Sequence, residues 1–270
     1  MNIKRVLTSA IFFLFQLHSA SASFISQDTI PPGDSSKVHE FDFSIEYGST
    51  RLYRGIKSSS HPYLRPSFVY ASPSGFYAGV TSYFPLDSGK VDETDVSAGY
   101  EFSLSKRTEI SFELTHYFIN NNQLANALVR NGVELYLRHD FGKILKSRVY
   151  ADADFGKVTT DYSLTLDNSL EFVFEDAFTE DAKLSIIPAL SITAGTLNLV
   201  RKIKKDVVST GFALTNYDLS LGIEYEVGRF IIEPEAAYDF PVDRKTTLLQ
   251  KTVKSDPVFY FTASITFVLD

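Results

Sequence analysis

The sequence has no cysteine and no tryptophan, a single methionine, and one apolar run near its start that no charge interrupts. Without cysteine there is no disulfide and no lipid anchored on a cysteine thiol, so packing and hydrogen bonds alone must hold the fold. Without tryptophan, any aromatic girdle at a membrane surface falls to the 15 tyrosines and 23 phenylalanines. Bases are scarce as well. The 26 Lys and Arg against 33 Asp and Glu give a formal charge of -7 over 270 residues. That balance excludes a chain built to track nucleic-acid phosphates, which needs clustered bases. There is no Gly-rich phosphate loop and no dinucleotide fingerprint. Beyond residue 22 the histidines are His39, His61, His116 and His139, none with a partner at metal-ligand spacing. No metal and no cofactor are expected.

The apolar run occupies residues 6–17. It follows Lys4-Arg5 and precedes the small residues Ala20-Ser21-Ala22. Basic start, apolar centre and small-residue cleavage site form the secretory layout. The run falls short of the roughly 20 residues a spanning helix needs. Residues 1–22 are therefore expected to be a cleavable signal peptide, which takes Lys4 and Arg5 with it and makes the remainder more acidic. Residues 23–37, with Pro31-Pro32-Gly33-Asp34, read as a flexible periplasmic tail. No later window is apolar enough for a transmembrane helix. An exported chain of this kind ends in the periplasm, in the medium, or in an outer membrane as a barrel.

From Phe41 onward the texture is strict alternation. Phe41, Phe43, Ile45 and Tyr47 fall on one face, and Asp42, Ser44, Glu46 and Gly48 on the other. Period two is the mark of a strand with unlike faces. The pattern recurs about twelve times, for example at Ile110, Phe112, Leu114, His116 and Phe118 against Ser111, Glu113 and Thr115. It recurs again at Phe259, Phe261, Ala263, Ile265 and Phe267 against Tyr260, Thr262 and Thr266. Most runs approach the roughly 9–11 residues of a tilted bilayer-crossing strand, whereas soluble strands peak near 5–6 residues. Connections alternate between short ones, as at Gly228-Arg229, and long ones, as at 85–93 and 200–210, which is the outer-membrane layout. The fold class is all-β: a single closed antiparallel transmembrane barrel over residues 38–270, up-and-down, with about 12 strands (10–14 with the ambiguity of 155–183). Pro66, Pro188 and Pro234 each lack a ladder donor, so bulges or rim positions are expected there.

Hydrocarbon cannot solvate charge, so the apolar face looks at lipid and the polar face at the lumen. The lumen face collects carboxylates: Glu113, Glu134, Asp152, Asp154, Glu224, Glu233 and Glu235 among them, with Arg54, Arg65 and Arg138 as the few bases. These ten residues are the candidates for a constriction. Two uses stay open: a water-filled passage that favours cations, or a lumen packed with acid–arginine pairs that serve stability only. Carried up from Phe41, the alternation places Arg54 in the lumen at the long-loop rim. There it is expected to anchor the first loop through carboxylates of neighbouring strands. The basic run Arg201-Lys202-Ile203-Lys204-Lys205 is either a solvated loop or a contact for lipopolysaccharide phosphates.

One stretch resembles a known family. Leu52-Tyr53-Arg54-Gly55-Ile56-Lys57-Ser58-Ser59, then Pro62, Tyr70 and Ser74-Gly75-Phe76-Tyr77-Ala78-Gly79-Val80, is similar to the N-terminal signature of the TorF-family porins. The likeness departs at Tyr53, where the family has tryptophan, and the chain ends in Leu269-Asp270 rather than an aromatic. The resemblance implies a Gram-negative outer-membrane barrel whose solute is unassigned. The expected function is a porin-like passage for small hydrophilic solutes, not an enzyme. Its surroundings would be outer-membrane lipid and lipopolysaccharide, with cations or other small solutes in the lumen and no nucleic acid. A closed structural or adhesive barrel with partner-binding loops is the alternative. An outer-membrane lipid hydrolase is a further one, although Ser111 and His116 on one strand point to opposite faces.

Overall fold

A computed structural model describes residues 39–120, 129–156, 159–200, 207–245, 252–253 and 256–269. The signal peptide, the N-terminal tail and the run 201–205 lie outside the described residues. Twelve strands form the wall: β1 (Glu40–Gly48), β2 (Tyr63–Ala71), β3 (Phe76–Pro85), β4 (Glu93–Ser105), β5 (Thr108–Ile119), β6 (Val129–Phe141), β7 (Leu145–Gly156), β8 (Thr160–Leu170), β9 (Ala182–Val200), β10 (Val207–Val227), β11 (Phe230–Pro241) and β12 (Val258–Leu269). Each pairs antiparallel with its neighbours in the chain, and β1 pairs with β12, so the sheet closes on itself in up-and-down order. Closure leaves no edge, which is the condition for backbone in hydrocarbon, where an unpaired donor costs several kcal/mol.

The wall is inside-out relative to a soluble domain. Its outward face carries Ile45, Leu114, Leu135, Phe118 and Ile265, each about half exposed, while Asp42, Glu46, Asp218 and Asp239 are buried. Only an apolar surrounding makes that partition favourable. Phe102 and Phe118 are exposed near strand ends, at girdle level.

Two parts of the wall differ from the alternation reading. Residues 207–210, expected in a basic loop, belong to β10 and pair with 197–200. Their β-branched Val207 and Val208 favour strand, and the charges beside them mask the alternation. The prolines interrupt the ladder without shifting it. Pairing between β2 and β3 skips Arg65 and Pro66 but keeps one register on both sides, and pairing between β10 and β11 skips Glu233 and Pro234 in the same way. Pro188 faces the point where β8 stops at Leu170, beyond which Phe172–Glu175 resumes pairing with β9. The ambiguous 155–183 region is thus one strand with a break opposite a residue that has no N–H to give. The register shifts of the wall lie elsewhere: between β9 and β10 at Thr193/Ala194, where Thr215 is the extra residue, and at Gly195/Leu197, between β4 and β5 at Ser103/Ser105, and between β6 and β7 at Val129/Asn131.

Candidate functional site in the barrel lumen

After Gly48 the chain leaves the wall. Ser49 N donates to Phe261 O on β12, and residues Arg51–Tyr53 and Ile56–Ser59 pair as a short hairpin. Its two turn residues, Arg54 and Gly55, have φ of 50° and 72°. Positive φ at both central positions is what a type I′ hairpin turn requires. The hairpin folds into the lumen and is held on two sides. On one side Arg51 Nη2 lies 2.8 Å from Glu93 Oε1 of β4, and its guanidinium sits 3.9 Å from the centre of the Tyr83 ring of β3. On the other side Arg54 Nη2 lies 2.7 Å from Asp154 Oδ2 of β7. Tyr53 and Tyr117 each donate a hydroxyl to the same carboxylate at 3.2 Å, so both oxygens of Asp154 accept hydrogen bonds.

The tip docks on a bulge. Pairing between β9 and β10 skips Thr215, so both Thr215 and Asn216 turn inward and are fully buried. A Cβ on Gly55 would lie 2.8 Å from Asn216 Cβ, so only glycine fits this turn against this wall. Asn216 is fixed in turn by donating Nδ2 to Asp239 Oδ1 at 2.6 Å.

Beneath the hairpin lies a cavity of about 330 Å³. Arg65 braces one flank of it, 2.8 Å from Glu46 Oε2, while Tyr63 donates to Glu46 Oε1 at 2.9 Å. The opposite flank carries a row of acids on three successive strands: Glu113 of β5 is paired in register with Glu134 of β6, and Glu134 with Asp152 of β7. Thr115 donates to Glu113 at 2.9 Å, and Ser163 donates to Asp152. One row nearer the short turns, Tyr136 and Tyr150 form a cross-strand pair with ring centres 5.0 Å apart. Tyr77 lies over Gly99 of the adjacent strand, where a Cβ would come within 2.3 Å of the ring. The glycine lets that ring lie along the wall rather than across the lumen.

Towards the short turns, cations meet acids in pairs. Arg138 lies 3.1 Å from Asp140 and 3.6 Å from Glu109, Arg148 lies 3.3 Å from Asp167, and Lys183 bridges Glu224 and Glu226. The ten candidate residues therefore do not make one ring. Arg54, Glu113, Glu134, Asp152 and Asp154 come together around the cavity, with Arg65 and Arg138 at its margins. Glu224 belongs to the lysine cluster, and Glu233 accepts from Ser264 at 2.8 Å on β11, where Glu235 also sits away from the cavity.

Arg54 reaches the lumen by a different route from the one the alternation implied. The wall strand ends at Gly48, and the turn beyond it swings Arg54 towards β7, six strands from β1 in the ring, not towards adjacent strands. Sequence reading missed Arg51 and the lumen tyrosines. The tyrosines were visible on the polar parity beside Glu134 and Thr262, but tyrosine suits both a girdle and a wet lumen. Among the described residues no group of three or more His, Asp or Glu is placed to hold a metal ion.

No protein-family model matches the chain, and no curated protein matches it. The likeness to TorF-family porins thus stands on the 52–80 stretch alone. Solved structures do match. The COG4313 outer membrane channel from Pseudomonas putida F1 aligns at 14% identity and a TM-score of 0.50 over 89% of this chain and 100% of that one. A KdgM porin aligns at 9% identity and 0.49 over 86% and 99%, and a NanC porin at 12% and 0.44 over 84% and 98%. At such identities the likeness concerns the fold alone, a closed up-and-down antiparallel barrel.

Proposed function

We propose that the protein is an outer-membrane channel for passive passage of small hydrophilic solutes, favouring cations, through a lumen narrowed by the 51–59 hairpin. The observation that carries this reading is the inside-out wall closed around a carboxylate-rich cavity. An apolar exterior supports strands set in lipid. A lumen lined by acids lowers the cost of moving a cation through a low-dielectric slab and raises it for an anion. Lipid and lipopolysaccharide are the surroundings such a barrel would meet, after export by the cleaved leader.

The hairpin sets the width. Arg51 and Arg54 tie it to β4 and β7, three strands apart in the ring, and its removal from the lumen would merge the cavity with the long-loop side. The same ties also favour a second reading, a barrel kept shut whose outer loops bind partners. Ser111 is buried in the lumen while His116 faces outward and bonds Asn131 at 2.7 Å, so the hydrolase reading gains nothing from this strand.

Reconstitution in planar bilayers separates the readings. Stepwise conductance in KCl, with a reversal potential of the sign for cation preference, is the expected result. A silent bilayer over a wide range of voltage and salt, from protein shown to be folded by its heat-modifiable migration in cold gels, would overturn the channel in favour of the shut barrel.

A further inference from the structure

We infer that the outward face around Asn168 is a contact surface for a second copy of this chain within the membrane. The contact depends on the wall facing lipid and not on conduction. Asn168 interrupts the alternation of β8: Tyr162, Leu164 and Leu166 precede it on the same face, and Leu170, Phe172 and Phe174 follow. Leu164 and Leu166 are exposed, while Asp167 turns inward to Arg148. The amide therefore points out of the barrel in the middle of the apolar band. It also ends a polar row. Thr108 of β5, His139 of β6, Ser147 of β7 and Asn168 stand side by side in register. Barrel strands are tilted, so the row climbs from the short-turn rim into the depth of the bilayer.

Other polar side chains on the outward face meet in pairs across strands: Thr108 with His139 at 2.9 Å, Ser82 with Thr94 at 3.0 Å, and His116 with Asn131 at 2.7 Å. Among the described residues, the side chains of Ser147 and Asn168 have no hydrogen-bond partner. Hydrocarbon supplies neither donor nor acceptor, so a polar side chain at this depth calls for protein beside it. An amide carries both functions, two N–H donors and a carbonyl acceptor. A two-fold axis along the membrane normal keeps each residue at its own depth, so an amide beside the axis meets the same amide of the second copy. The two then exchange a pair of hydrogen bonds. A different protein would need a matching donor and acceptor at that depth, whereas a second copy has them by symmetry. Close approach is open as well. Between Leu145 and Phe155 the outward side chains of β7 are Ser147, Val149, Ala151 and Ala153, none larger than valine. Small side chains let backbones come close within a membrane.

The chain has no cysteine, so a single introduced thiol reports its own surroundings without background. Ser147→Cys keeps Asn168 in place and puts a thiol beside it. The full protein, folded in phosphatidylcholine vesicles, is treated with a short bismaleimide over a series of lipid dilutions. Expected is a covalent dimer of twice the chain mass from Ser147→Cys. Ile45→Cys, 58% exposed on β1 and five strands from β8 in the ring, should give only the collisional background. Adding Asn168→Leu to Ser147→Cys should weaken dimerisation about tenfold across the dilution series, the scale of a pair of lost intramembrane hydrogen bonds. Cold-gel migration should stay that of a folded barrel. Without cross-linker, the wild type should sediment as a dimer in mild detergent and Asn168→Leu as a monomer. A monomeric wild type, a Ser147→Cys yield no higher than that of Ile45→Cys, or a yield unmoved by Asn168→Leu would overturn the inference. If a thiol variant does not fold, sedimentation of the wild type against Asn168→Leu decides. A dimer that conducts nothing in bilayers would remove the channel and keep the contact, and a conducting monomer would do the reverse.

Discussion

Arg54 and Asp154, one hundred residues apart in the chain, meet at 2.7 Å and join the first long loop to the far wall of the barrel. The Arg54 side chain is 1% exposed and that of Asp154 12%, so the pair is shielded from solvent. Removing one partner of a shielded pair strands the other and costs about 3–5 kcal/mol. Applied to the hairpin, that loss shifts its docked-to-undocked ratio by roughly a hundredfold or more. Arg54→Ala and Asp154→Asn should each raise single-channel conductance and expose the 51–59 segment to protease, while cold-gel migration stays that of a folded barrel. Conductance and cleavage both unchanged would mean that the pair does not hold the hairpin.

Gly55→Ala tests the same docking from its other side. The new methyl meets Asn216 at 2.8 Å, and φ of 72° disfavours any Cβ. The left-handed conformation alone costs about 1–2 kcal/mol. Conductance should shift in the direction of the Arg54→Ala change and by a smaller amount, measured in the same bilayer series.

Glu113→Gln with Glu134→Gln replaces two of the three carboxyl groups in the acid row by amides of the same shape. The reversal potential under a KCl gradient should move most of the way towards zero. An unmoved reversal potential would place the selectivity at another part of the lumen, with the lysine-bridged Glu224 and Glu226 the next residues to change.

Leu114 is 50% exposed at the middle of β5 on the outward face. Leu114→Arg should destabilise the barrel in lipid vesicles by about 2–4 kcal/mol, the cost of a base at the bilayer midplane. Urea titration of vesicle-folded protein reads this directly. A loss under 1 kcal/mol, against the roughly 2 kcal/mol minimum for that depth, would put this face in water or against protein.

Much of the wall was legible from residue order. The side-chain period of a strand is two, so Phe41, Phe43 and Ile45 against Asp42, Ser44 and Glu46 already assigned outside and inside, strand by strand. The 155–183 stretch resisted because its break is a property of the neighbour: β8 stops opposite Pro188, eighteen positions further along the chain than Leu170. The true extent of β9 and β10 was hidden for a related reason. Strand pairing is a two-chain property, and residues 207–210 become strand by facing 197–200.

The site divides along the same line. Sequence alone determined that the interior is acidic, that Glu113, Glu134 and Asp152 face it, and that arginine is scarce there, because parity and charge are local. Only the tertiary structure decided which of those groups neutralise each other. Register put Glu113, Glu134 and Asp152 side by side, and the ring order put β7 opposite β1. A two-residue turn at positive φ then carried Arg54 across the lumen to Asp154 rather than along the wall. Once a chain leaves the regular strand, alternation no longer says where a side chain points, and the contacts across the lumen take over.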